Sequence, residues 1–202
     1  MTETTYVHRL RAGAPGKPIF FVFHGTGGDE NQFFDFAARL LPEATIVSPR
    51  GDVSEHGAAR FFRRTGEGVY DMADLARATE KMTAYVETLG AAHGASHILG
   101  LGFSNGANIL ANVLIEKGLF DASVLMHPLI PFKPRDNAAL AGRKVLITAG
   151  ERDPIAPASL TRELADYFKR QQAEVTLEWH SGGHDIRSNE IEAVHAMLAS
   201  YA

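Results

Sequence analysis

Ile98-Leu-Gly-Leu-Gly-Phe-Ser-Asn-Gly-Ala107 is the stretch on which the reading of this chain turns. Strand-like residues, His97 to Leu101, run directly into Gly102-Phe103-Ser104-Asn105-Gly106, and helix-like sequence, Asn105 to Glu116, follows at once. A bare G-x-S-x-G means little, because Gly and Ser are common. Set between a strand and a helix, it matches a nucleophile elbow, a sharp turn that lifts a serine hydroxyl above a sheet edge. The turn strains the serine backbone and brings the residues two positions either side close together, which Gly102 and Gly106 permit. The helix that starts there points its N-terminal dipole at the serine and favours developing negative charge. A Gly-rich turn with Ser104 as a mere helix cap is the weaker reading, since the full strand–turn–helix context is present.

Outward from the elbow, apolar runs of strand length alternate with amphipathic runs of helix length. Tyr6 to Leu10 reads as an edge strand. Ile19-Phe-Phe-Val-Phe23 is continuously apolar, as expected of a strand covered on both faces. Thr45 to Val47, Ser123 to Met126, Lys144 to Thr148 and Val175 to Trp179 are further strands. Asn31 to Leu41, Met72 to Leu89, Leu160 to Gln171 and Asn189 to Tyr201 are further helices. The alternation predicts a mostly parallel sheet of about six to seven strands with helices on both faces, in a single domain over residues 1–202. Ligands then bind beyond the carboxyl ends of the strands. Two long connections leave such ends, Ser48 to Tyr70 and Pro128 to Gly142, and structureless loops of that length are usually binding loops. Their apolar residues Phe61, Phe62, Leu129, Ile130 and Phe132 are expected to line a substrate pocket.

Bulk properties narrow the chemistry. The chain has 202 residues, with Lys plus Arg 20 against Asp plus Glu 24, a formal net charge of −4. That mild acidic excess gives no electrostatic reason to expect nucleic acid or an anionic membrane as partner. Arg60 to Arg64 is the one local basic cluster. There are no cysteines, which excludes disulfides, thiolate metal sites and a cysteine nucleophile. The start, Met-Thr-Glu-Thr-Thr, has no basic region followed by an apolar one, and Ile19 to Phe23 is too short to span a bilayer. A cytoplasmic protein without stable membrane association is expected, and a homodimer is compatible with the sequence.

Acyl transfer at Ser104 needs donors for the oxyanion, a base and a carboxylate to orient the base. Asn105, next after the serine, offers one backbone N–H. The second is expected from His24-Gly-Thr26-Gly-Gly28 after the strand Ile19 to Phe23, with Thr26 as the donor. This loop fits neither a P-loop nor a dinucleotide fingerprint, and His24 at the strand end reads as a brace for it. For the base, the order serine–acid–histidine favours His184 in Ser181-Gly-Gly-His184, past the last strand. His180 reads as the strand end, and His127 as a pocket-lining residue. Asp153, after the strand Lys144 to Thr148 and stiffened by Pro154, is the acid. Glu151 and Asp185 are the alternatives, the latter hampered by adjoining the histidine.

These motifs resemble the phospholipase/carboxylesterase family of small α/β-hydrolases, which also holds acyl-protein thioesterases. The likeness rests on His24 to Glu30, Gly102 to Ala107, Gly150 to Pro154 and Gly182 to His184. Arg50-Gly51 and Arg60-Phe-Phe-Arg-Arg64 are similar to a bacterial hydroquinone-associated branch of predicted esterases. The resemblance runs over essentially the whole chain. It implies an α/β-hydrolase fold, Ser104 as nucleophile with Asp153 and His184, Thr26 and Asn105 as oxyanion donors, no cofactor and no metal. It also implies small carboxylic esters as substrates, with thioesterase or lysophospholipase activity as alternatives. One departure stands out: the family's elbow is often G-F-S-Q-G, and Asn105 replaces the Gln here.

With few residues to spare, no large cap domain is expected, so the site should be open. A dienelactone-hydrolase-like enzyme acting on cyclic esters is a rival, set back because such enzymes use a cysteine where this chain has Ser104. A binding protein with a dead site is the other rival, set back by the intact Ser, Asp and His.

Overall fold

The computed structural model describes residues 5–202. Met1 to Thr4, part of the start read above for a leader, lie outside the described residues. Strands β1 (His8–Arg11), β2 (Ile19–Phe23) and β3 (Thr45–Pro49) bracket helix α1 (Phe34–Leu40). Two small hairpins follow, β4 (Val53–Glu55) with β5 (Ala58–Arg60), and β6 (Arg64–Gly66) with β7 (Val69–Tyr70). Then come α2 (Met72–Ala92), β8 (Ile98–Phe103), α3 (Asn105–Lys117), β9 (Ala122–Met126), β10 (Lys144–Gly150), α4 (Ala158–Arg170), β11 (Glu174–His180) and α5 (Ser188–Leu198).

The main sheet has seven strands in the order β1-β3-β2-β8-β9-β10-β11. All neighbours run parallel except β1, which is antiparallel to β3. The fold is the expected α/β-hydrolase one, an open, mostly parallel sheet with helices on both faces and no cap. Strand β2 shows why a continuous apolar run is needed. Ile19, Phe21 and Phe23 pack into one core with residues of α2, α3 and α4, while Phe20 and Val22 pack into a second with residues of α1 and α5. Each phenylalanine is fully buried and contributes roughly 2 kcal/mol by loss of water contact.

The strands end near where the sequence placed them. The connection after β3 does not match a structureless loop. It forms two hairpins whose strands span only two or three residues, too short for alternation to show in sequence. The connection after β9 holds only one short 3₁₀ turn, Ala138–Leu140.

Candidate active site

Ser104 sits at the hinge between β8 and α3 with φ 52° and ψ −118°, a conformation side-chain-bearing residues rarely adopt. The surroundings impose it. A Cβ on Gly102 would collide with the Gly106 carbonyl, and one on Gly106 would collide with the carbonyls of Phe23 and His24. Gly102 thus serves the turn itself, whereas Gly106 lets the elbow approach the end of β2. The Ser104 N–H donates to the Met126 carbonyl at 2.9 Å, tying the elbow to β9.

His184 lies on the loop between β11 and α5. Its Nε2 is 2.9 Å from Ser104 Oγ, and its Nδ1 is 2.7 Å from Asp153 Oδ2. The loop can lie there because Gly150 has no side chain, since a Cβ would strike the Gly183 carbonyl. Asp153 is buried, and its Oδ1 accepts the N–H groups of Ile155 at 2.8 Å and Ala156 at 2.9 Å. Burial pushes its pKa up, but those amides and two imidazoles outweigh burial and hold it below the usual carboxylate range. An ionised Asp153 keeps the His184 proton on Nδ1 and leaves Nε2 free to accept the Ser104 proton. The alternatives lie apart: Glu151 is exposed, and Asp185 pairs with Arg187 at the surface.

Thr26 and Asn105 line the same cavity as Ser104, and among the described residues their backbone N–H groups donate to no protein acceptor. The hairpin β4–β5 braces both. Arg60 Nη1 donates to Thr26 Oγ1 at 2.6 Å, Gly27 N–H to the Ala59 carbonyl at 3.0 Å, and Phe61 N–H to Asn105 Oδ1 at 2.7 Å. The elbow asparagine therefore anchors the hairpin segment through its side chain, and its Nδ2 has no partner among the described residues. His24 is a brace: Nε2 accepts Gly51 N–H at 2.9 Å, and Nδ1 donates to the Gly25 carbonyl at 2.7 Å. Burial lowers its pKa, which suits a neutral ring.

The cavity measures about 260 Å³. Of the five apolar residues expected in it, only Leu129 is there. Phe61 and Phe62 are fully buried core side chains. Phe61 packs edge-to-face on Phe23 and at a tilt on His24, and Phe62 packs edge-to-face on Tyr70, because the hairpin folds down onto the sheet rather than over the site. Ile130 and Phe132 line a separate cavity beside α4, away from Ser104. The sequence reading missed Arg60, Arg64, Tyr70, Phe103, Asn108 and Ile155 at the Ser104 cavity, along with Glu67 and Gly68. Asn108 had a signal, one helical turn after the serine. Its Nδ2 donates to the Tyr70 hydroxyl at 2.8 Å, its Oδ1 accepts Leu129 N–H at 2.6 Å, and Tyr70 donates to the Leu129 carbonyl at 2.6 Å. Helix α3 thus fastens both long connections around the cavity.

Behind the site, His127, at the end of β9 with φ 52°, lines the cavity wall and places Nδ1 2.8 Å from Asp153 Oδ2, the oxygen His184 also uses. Its Nε2 is 3.1 Å from Glu190 Oε1, and His180 Nε2 is 3.3 Å from Glu190 Oε2. His127, His180 and Glu190 thus converge, with ring nitrogens and carboxylate oxygens within 4.8 Å of one another. No helix among the described residues is long and apolar enough to cross a membrane.

Comparison with known proteins places this arrangement. The dienelactone hydrolase family matches residues 54–196. MhqD of Bacillus subtilis (strain 168), which bears the name of a hydrolase, is 32% identical over 177 residues, covering 86% of this chain and 88% of MhqD. A solved structure of Atu2452, a protein of unknown function from Agrobacterium tumefaciens str. C58, is 62% identical with a TM-score of 0.94, all of both chains being covered. The Bacillus cereus carboxylesterase is 32% identical with a TM-score of 0.92, covering 100% of this chain and 97% of that one. These matches fit the esterase family expected from the motifs, and the dienelactone hydrolase family, set back above for its cysteine, matches as well, so membership does not hinge on that residue. The chain belongs to the dienelactone hydrolase family and is a hydrolase of the dienelactone hydrolase and carboxylesterase type.

Proposed function

We propose that the chain is a serine carboxylesterase acting on small esters through an acyl-enzyme. One observation supports this above all: the Ser104–His184–Asp153 chain of short contacts opens onto a cavity carrying two unengaged backbone N–H groups. His184 takes the Ser104 proton as Oγ bonds to the ester carbonyl carbon. Asp153 holds the imidazole and stabilises its cation. The N–H groups of Thr26 and Asn105 receive the oxyanion, each worth about 3 kcal/mol in the transition state. The carbonyl re-forms, the C–O bond to the alcohol breaks, and His184 returns the proton to the leaving oxygen. Water activated by the same imidazole then hydrolyses the acyl-enzyme.

The cavity, about 260 Å³, lies below the usual range for drug-sized ligands, which favours short acyl groups over the lipid tails of a lysophospholipase. Its charge supports a further restriction. Arg60, nearly buried, and Arg64 both sit on the cavity wall and share one carboxylate, Glu55. Glu67 on the rim is exposed. A guanidinium on the wall can pair with a carboxylate on the substrate, which favours an ester bearing one.

The test is hydrolysis of 4-nitrophenyl acetate, butyrate and hemisuccinate, with fluorophosphonate labelling. Wild type should turn over and take the label, and Ser104→Ala should lose at least 10³-fold and take none. Equal rates in both proteins would overturn the assignment.

A further inference from the structure

The geometry points to His127 as a positively charged positioning residue, an imidazolium held between Asp153 and Glu190 that keeps the proposed base, His184, unprotonated. This inference rests on the esterase reading of Ser104, His184 and Asp153.

Each ring nitrogen of His127 lies beside a carboxylate. Asp153 Oδ2 lies 2.8 Å from His127 Nδ1 and is a carboxylate oxygen, so Nδ1 must donate. Glu190 Oε1 lies 3.1 Å from Nε2, at an oblique angle. Glu190 is fully buried, and its oxygens already accept the Thr148 hydroxyl and the Arg187 N–H. A carboxylate engaged by such donors is ionised. Burial would raise its pKa, but the bonds from His127, Thr148 and Arg187 outweigh that and lower it. A neutral His127 would leave a lone pair beside this anion inside the protein, whereas a protonated one donates to Asp153 and sets its charge 3.1 Å from Glu190. Burial disfavours the charged ring, yet the Glu190 and Asp153 contacts prevail and raise its pKa.

Every other element packed against the ring agrees. From β11, His180 takes the Gly182 N–H on Nδ1 at 2.9 Å, so its own proton sits on Nε2, facing Glu190. From the end of β8 comes the uncharged ring of Phe103. From the β11–α5 loop comes His184, its ring centroid 5.1 Å away. Of the groups facing His127, Asp153 and Glu190 are the two acids.

The consequence falls on His184. A fixed positive charge about 5 Å off, in a poorly solvated setting, opposes a second proton on His184 in the resting enzyme. The charge also competes for Asp153 Oδ2, which both imidazoles share.

The test has two arms. In the wild type, ring-¹⁵N spectra of histidine-labelled protein should show one residue, identified by its loss in His127→Asn, with both nitrogens protonated from pH 6 to 8. If no histidine keeps both ring nitrogens protonated up to pH 8, the inference fails whether or not the variant folds. In the second arm, His127→Asn keeps an N–H toward Asp153 but removes the charge. The acidic limb of kcat/KM should move up by about one pH unit. A drop in kcat with the limb unmoved would assign His127 a merely structural role and overturn the proposal. If the wild type hydrolyses no ester, the esterase reading fails, while the ring-¹⁵N result still decides the charge of His127.

Discussion

The elbow at Ser104 and the carboxylate cluster around Asp153 hold the two ends of one proposed proton path, and they do so by opposite means. At the elbow nothing is charged. A strained φ of 52° is fixed by two glycines, an N–H bond to β9 and the backbone of β2. At the other end Asp153, Glu190, His127, His180 and His184 converge from β9, β11, α5 and two loops, and their mutual charges and hydrogen bonds hold them. The first device is steric and indifferent to pH. The second relies on buried charges that satisfy one another, so it titrates, and losing one member leaves another exposed to a low-dielectric interior.

The contrast can be broken most sharply at Asp153. Asp153→Asn should lower kcat by about 10⁴-fold with little change in the far-UV spectrum, because the amide favours the wrong His184 tautomer. Retention of activity within tenfold would place the orienting acid elsewhere. Next, Glu190→Gln should cost about 3 kcal/mol in urea denaturation by leaving His127 without its second anion. At the elbow, Gly102→Ala should cost about 2 kcal/mol, and its loss should be the same at pH 5 and pH 8, since only backbone is displaced.

Between these sits the pH dependence of stability itself. Asp153 and Glu190 have depressed folded pKa values, so their stabilisation is present above the unfolded value of about 4 and vanishes as pH falls through the folded value. His127 has a raised one, so its contribution is complete below about 6.5 and fades as pH rises through the folded value. The melting temperature should therefore fall on both sides of that window, and Glu190→Gln should flatten the alkaline decline. The smallest effect is expected at the cavity wall. Arg64→Gln should reduce the preference for 4-nitrophenyl hemisuccinate over butyrate by about tenfold, measured as a ratio of kcat/KM values.

Much of the elbow was legible because its constraints are local. A strand, a strained turn and a helix leave their marks on adjacent residues, and Gly102, Ser104 and Gly106 announce them together. The chain order of Ser104, Asp153 and His184 was legible too, since each follows a recognisable strand. His127 was seen only as a pocket-lining residue, and Glu190 passed as one more position in an amphipathic helix. Nothing beside either in sequence tells that β9 and α5 bring them together. Phe61 and Phe62 misled for a related reason. An aromatic pair in a long loop suits a pocket wall or a core equally well, and short hairpins, which no periodicity reveals, turned them inward.

The sequence by itself determined the parallel α/β layering, through continuous apolar runs of strand length and the helical spacing between them, and the elbow's turn, through Gly102, Ser104 and Gly106. Which carboxylates and imidazoles would share buried charge, and which aromatics would reach the cavity, was decided only when sheet order and register set distant strand ends side by side. Burial and ion pairing depend on that three-dimensional neighbourhood, and spacing along the chain does not encode it.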